Sequence, residues 1–224
     1  MLRQDIVSIL LLTLQTASVA TVCMMVPATL LGYALARYDF RGKDFVSAVV
    51  GLPLVLPPTA VGFLLLRLFA VDGPLGRHNL GLDLGLLLSW RAAALAAAVM
   101  SFPLVVRTAK VTFEGINPRL EMMAKTLGHS TLATFFRYTL PLAKRGLLAG
   151  LILGFTRALG EFGATVTIAG NIPGRTQTLS AAIFSAQQLG DTDRAYALML
   201  LALGLGFVAI LSAELLSRTP RVIP

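Results

Sequence analysis

The chain has 224 residues, 56% of them hydrophobic and only 13% charged, with a formal net charge of +8. Water-soluble domains carry about 25% charged residues, so most of this surface does not meet water, and the length suits one membrane domain (residues 1–224) with no attached soluble catalytic domain. The positive charge does not mark a nucleic-acid binder, because the basic residues gather in short stretches between apolar runs, the pattern that sets membrane topology.

A spanning helix needs roughly 20 mostly apolar residues, and five segments qualify: Ile6–Ala36, Phe45–Ala70, Arg91–Lys110, Leu142–Ala169 and Ala195–Leu216. The expected fold is therefore all-α, a polytopic bundle of about five transmembrane helices. The first segment follows Arg3 but is too long for a cleavable signal sequence, and reads as a retained helix. It contains Cys23, the single cysteine. That residue is expected to be a small buried apolar side chain, and one cysteine builds neither an internal disulfide nor a metal cluster. Pro27, Pro53 and Pro103 fall inside spans, where neighbouring helices can satisfy the freed carbonyls. Pro57-Pro58-Thr59 is a stronger interruption, since proline removes a donor and disfavours helix in the residue before it. Its two readings are local unwinding beside a substrate path and a static packing kink. Leu84–Leu88 is too short to span and reads as a re-entrant or interfacial piece.

Orientation follows from Lys and Arg. Arg37, Arg41 and Lys43 follow the first span. Arg107, Lys110, Arg119, Lys125, Arg137, Lys144 and Arg145 surround the connection after the third, and Arg218 and Arg221 end the chain. The opposite side has Arg3, Arg77, Arg91, Arg175 and Arg194. The positive-inside rule places the N-terminus outside and the C-terminus in the cytoplasm. The cytoplasmic connection, residues 111–141, is long and carries apolar residues at helical spacing: Leu120, Met123, Ala124 and Leu127, then Leu132, Phe135 and Phe136. Gly128 divides it into a helical hairpin, and Pro141 opens the next span. Such a hairpin either lies on lipid or docks a cytoplasmic partner.

Within it, Glu121-Met-Met-Ala-Lys-Thr-Leu-Gly128 and Tyr138-Thr-Leu-Pro141 resemble the cytoplasmic EAA loop of binding-protein-dependent ABC importers. Glu121, Gly128, Leu140 and Pro141 fit that pattern, while Met122 and Met123 replace its two alanines and Tyr138 its isoleucine. Phe40-Arg-Gly-Lys43, Leu52-Pro-Leu-Val-Leu-Pro-Pro-Thr59, Gly160-Glu-Phe-Gly-Ala-Thr165 and Gly170-Asn-Ile-Pro-Gly-Arg-Thr-Gln-Thr178 further resemble the molybdate permease subunits, with sulfate and tungstate permeases sharing much of the rest. The resemblance implies a type I ABC importer permease in a bacterial cytoplasmic membrane. It also implies a second copy of the chain, cytoplasmic ATPase subunits and an external oxyanion-binding protein. It assigns ATPase coupling to Glu121, Met122, Met123, Ala124, Gly128, His129, Ser130, Leu140 and Pro141.

Other positions carry expectations of their own. The chain has no Gly-rich phosphate loop ending in Gly-Lys-Ser/Thr, so ATP is expected to bind the partner, with no cofactor here. Arg157 and Glu161, four apart on one helix face, are read either as a structural pair beside the translocation path or as an Arg that briefly attracts the oxyanion. Asn171, Arg175 and Thr176 are expected at the external mouth, though an ordinary surface loop reads almost as well. Glu121 itself could cap or ion-pair at the hairpin joint, or simply be solvated. His78 and His129 fall on opposite sides and are expected to hold no metal. A membrane-embedded enzyme would need a nucleophile–base or metal set, and none is visible. A secondary transporter or channel would need mid-membrane carboxylates, for which Glu161 stands alone.

Overall fold

In the computed structural model, which describes residues 2–80 and 85–217, all regular structure among the described residues is helical. The order is α1 (Leu2–Arg37), α2 (Lys43–Val55), α3 (Pro58–Phe69), a single turn α4 (Arg77–Leu80), α5 (Trp90–Glu114), α6 (Pro118–Thr126), α7 (Thr131–Thr134), α8 (Leu140–Leu159), α9 (Gly163–Ala169), α10 (Leu179–Gln188) and α11 (Thr192–Ser217). Leu84, Arg218 and Arg221 lie outside the described residues. Three helices, α1, α5 and α11, are individually long and apolar enough to cross a bilayer. Two bent pairs bring the total to five when each pair is counted as one span.

The first bent pair corrects the expectation of one helix over Phe45–Ala70. α2 and α3 meet at 113°, because Pro57 and Pro58 each force the preceding residue out of the helical region. Leu56 is extended (φ −70°, ψ 144°), and Pro58 then starts α3, a position where the missing N–H costs nothing. The pair still crosses both halves of the bundle. Val46 and Val50 of α2 pack with Val105 and Val106 in the C-terminal half of α5, and Val61 and Leu65 of α3 pack with Ala92, Ala93, Ala96 and Met100 in its N-terminal half.

The second pair corrects Leu142–Ala169. α8 stops at Leu159, the chain bends by 62°, and α9 continues from Gly163. Three smaller corrections follow. α5 runs from Trp90 to Glu114, so the third span continues four residues past Lys110, into the stretch read as the start of the connection. The second limb of the hairpin does not stop before Pro141. It enters α8 through a π turn over Phe135–Thr139, in which the Leu140 N–H reaches back to the Phe135 carbonyl. The wider turn accommodates a proline that cannot donate. Finally, α10 fills part of the stretch after the fourth span to which the sequence assigned no helix.

Small residues hold the bundle together, as they must where lipid removes the hydrophobic drive between helices. Gly146, Gly150 and Gly154 of α8 form one stripe, and a Cβ on them would come within 2.4 Å of Thr112, 3.0 Å of Thr108 and 2.5 Å of Val105 respectively. Gly32 of α1 meets Ala109 in the same way, at 2.6 Å. Cys23 of the same helix, expected to be buried, is exposed instead, because its neighbour Met24 takes the inward-facing position. After α3 the chain turns back on itself, the Leu75 N–H donating to the Leu68 carbonyl and the His78 N–H to the Val71 carbonyl. Leu86 and Leu87 pack on the Val61–Met100 cluster, and the Leu88 N–H donates to the Ile168 carbonyl at 3.2 Å. The described part of the Leu84–Leu88 piece is thus a turn seated on α9.

Candidate functional site

At one end of the bundle, local signals build the hairpin. Asn117 caps α6 by accepting from the Arg119 N–H at 3.0 Å, with Pro118 as the first helical residue. Ser130 caps α7 by accepting from the Ala133 N–H at 3.2 Å. Gly128 between them has φ +87°, a left-handed conformation that glycine adopts without a Cβ penalty. His129, next in the chain, meets the Tyr138 hydroxyl at 3.0 Å across the reversal.

Glu121 is not a solvated helix residue. Its Oε1 accepts from Arg37 Nε at 3.1 Å and from the Thr139 hydroxyl at 3.0 Å. The Arg37 Nη2 donates in addition to the Ile116 carbonyl at 2.9 Å. One carboxylate therefore joins α6 to the end of α1 and to the start of α8. The two charged side chains are only 11% and 15% exposed, so the pair is screened less than a surface ion pair. Below it Tyr33 meets Phe113 and Phe135 edge-on, at centroid separations of 5.1 and 4.8 Å, giving the hairpin a rigid aromatic floor. Arg37 is the member of this joint that the sequence did not single out, since there it counted only toward topology.

The outer side of the hairpin is apolar and bare. Met122, Met123 and Leu127 are 57%, 62% and 77% exposed, while Ala124 is the buried residue of α6. Pro141 is exposed and Leu140 half-buried at the foot of α8. On the adjacent loop Asp39 bonds Lys43 at 2.8 Å. That hydrogen bond, aided by the ammonium charge, holds the Asp39 carboxyl below the usual carboxylate range.

Further out, the two helix breaks are brought together. A Cβ on Gly163 would come within 2.9 Å of the Pro58 ring and 3.4 Å of the Thr59 nitrogen. One on Gly62 would come within 2.8 Å of the Ala164 carbonyl. Pro57, Pro58 and Thr59 are all exposed. Beside them Arg157 Nη1 lies 2.7 Å from Glu161 Oε2, and the other Glu161 oxygen accepts from the Ala164 N–H at 3.0 Å. Glu161 is 2% exposed. It satisfies one of the free N–H groups at the start of α9 and neutralises Arg157.

At the end opposite the hairpin a cleft of about 510 Å³ is bordered by Asp5, Asn171, Gln177, Ser185, Asp191 and Arg194, among others. Of the residues expected at the mouth, Arg175 is exposed and Asn171 donates to the Ser185 hydroxyl at 2.6 Å. Thr176 faces inward, 2% exposed, and its hydroxyl accepts from the Ile172 N–H. Leu179 is anchored from the other side, its N–H donating to the Thr13 hydroxyl of α1 at 2.8 Å. His78 pairs with Asp72 at 2.7 Å, both exposed. Among the described residues no group of three His, Cys, Asp or Glu side chains converges as a metal site.

Residues 28–222 match the family described as binding-protein-dependent transport system inner membrane component. The chain belongs to this family. Among curated relatives of this permease, it is 44% identical to the molybdenum transport system permease protein ModB of Haemophilus influenzae, over 85% of this chain and 84% of that one. It is 40% identical to ModB of Escherichia coli, over 94% and 93%. It is also 37% identical to the sulfate transport system permease protein CysT of Salmonella typhimurium, over 91% of this chain and 74% of that one. The MetNI methionine ABC transporter shares the fold with a TM-score of 0.70 at 15% identity, covering 96% of this chain and 94% of that one. An alginate importer does so with 0.73 at 18%, covering 98% and 80%. The chain is thus a multi-pass membrane permease of the ABC importer class, with the all-α type I fold.

Proposed function

We propose that this permease carries molybdate inward, driven by ATP hydrolysis on a separate cytoplasmic subunit. The observation that carries the coupling role is the Glu121 joint, a carboxylate that ties a bare apolar hairpin to two spanning helices at once. A ridge of Met122, Met123 and Leu127 suits the cleft of a partner, since methionine adapts to irregular surfaces. Anything pushing on that ridge is transmitted through Glu121 to α1 and α8. Molybdate is favoured over sulfate by higher identity to the molybdenum permeases than to the sulfate permease.

The working unit in this account is two copies of the chain with two ATPase subunits and an external binding protein. The N-terminus lies outside and the C-terminus in the cytoplasm of a bacterial membrane, because Arg37, Arg41, Lys43, Arg119 and Lys125 collect at the hairpin end. The chain binds no cofactor of its own. Pro57, Pro58 and Thr59, with the Arg157–Glu161 pair behind them, border the passage where the helices are broken. Asn171 and Arg175 belong to the external mouth. Molybdate-loaded binding protein should stimulate ATP hydrolysis by the reconstituted complex, and Met123→Asp should abolish that stimulation. Equal stimulation in that variant would remove the hairpin from the coupling role.

A further inference from the structure

The cations within the spanning segments are treated unequally. Arg37 and Arg157 are held by Glu121 and Glu161, and Lys110 lies 3.7 Å from Glu114. Arg67 occupies the last turn of α3, next to the outer loop. Lys144 and Arg145 are exposed in the first two turns of α8. Arg107 combines a position seven residues inside a long helix with an exposed side chain and, among the described residues, no carboxylate or hydrogen-bond partner.

Its head group does not reach for the cytoplasm. A Cβ on Gly51 would lie 3.3 Å from Arg107 Nη2, which places the guanidinium against α2. Gly51 is the ninth residue of that helix, roughly 12 Å from its inner end at 1.5 Å per residue. Five residues further on is the break at Leu56. Gly51 is buried although α2 is otherwise a largely exposed helix. An arginine seeking lipid headgroups would extend toward the nearer end of its own helix. Here the missing side chain at Gly51 makes a notch that the guanidinium occupies.

A charge at this depth facing hydrocarbon is expensive, and such residues face water or a bundle interior. The same face of α5 continues through exposed Val111 and Glu114 to the cytoplasmic end. We infer that Arg107 is an anion-binding station on the inner part of the translocation path, where its planar fork of donors takes a tetrahedral oxyanion passing from the helix breaks to the cytoplasm. This rests on the reading of the chain as an oxyanion permease. Arg157 cannot serve, because Glu161 already neutralises it. A single guanidinium open to water holds an oxyanion loosely enough to release it, whereas its bidentate geometry is more selective than an ammonium.

The test uses the complete transporter, permease with its ATPase and binding protein, in proteoliposomes. Arg107→Gln should raise the KM for molybdate uptake about tenfold with maximal rate within about twofold, and Arg107→Lys should raise it about threefold. In a Cys23→Ser background, which removes the one native thiol, Arg107→Cys should react with a membrane-impermeant anionic thiol reagent. Molybdate should slow that reaction at least fivefold. Unchanged KM in both substitutions would overturn the inference, as would a cysteine that does not react, or one whose reaction molybdate leaves unaltered. Should Arg107→Gln fail to assemble, Arg107→Lys keeps the charge and still decides the matter. Wild-type complex that imports no oxyanion would instead refute the functional reading itself.

Discussion

Removing the Glu121 carboxylate should loosen the hairpin while leaving the membrane bundle intact. Glu121→Ala deletes the acceptor of the 3.1 Å bond from Arg37 and of the 3.0 Å bond from Thr139. Hydrogen bonds to charged groups each contribute about 1.5–3 kcal/mol. The two share one oxygen, and the side chains retain some solvent exposure, so a combined loss of about 2–4 kcal/mol is expected. α6 has little else to hold it, since Ala124 is its buried residue. At 1.4 kcal/mol per tenfold, its amides should exchange with deuterium about 30- to 1,000-fold faster in the variant. Amides of α5 should be unaffected. ATP hydrolysis should continue with uptake reduced, because the push reaches a detached hairpin. Exchange across Pro118–Thr126 unchanged within about threefold would refute the joint. Glu121→Gln keeps an acceptor oxygen but not the charge and should give about half the effect.

Three more outcomes follow from the packing. Gly150→Val places a branched side chain against Thr108 in the α5–α8 seam and should cost about 1–3 kcal/mol by overpacking, seen as a lowered thermal midpoint in detergent; Gly204→Ala, with open space around it, should not lower it. Glu161→Ala leaves the Arg157 charge and the Ala164 N–H without their shared partner, and should destabilise by about 3–5 kcal/mol. Exchanging the two as Arg157→Glu with Glu161→Arg should fail to restore stability, because arginine cannot accept from the Ala164 N–H; full recovery would mean that the ion pair alone matters. Pro58→Ala should restore a donor at the α2–α3 break and slow transport without weakening assembly, measured as uptake per purified complex.

Much of the architecture was legible because composition and lengths of apolar runs are one-dimensional properties. The hairpin could be read from Gly128, Pro141 and the apolar spacing around them. The break at Pro57-Pro58 was visible as two missing donors, but its 113° angle depends on how α3 packs against α9 through Gly62, which is a contact between distant segments. The bend after Leu159 has no proline to announce it. It is set by Glu161 turning back to bond the Ala164 N–H. Arg37 and Glu121 are 84 positions apart, so sequence spacing could not pair them. The Gly146–Gly150–Gly154 stripe was not read in the sequence, because glycines four apart mean little until the facing Thr112, Thr108 and Val105 give them a partner.

The central claim is that this permease passes molybdate at the expense of ATP. The direct measurement is uptake of radiolabelled molybdate into vesicles holding the permease, its ATPase and its binding protein, with tungstate and sulfate as competitors. The account predicts ATP-dependent uptake that tungstate blocks and a large excess of sulfate does not. Uptake abolished by sulfate would move the chain to the sulfate permeases, and uptake without the ATPase would contradict the account outright.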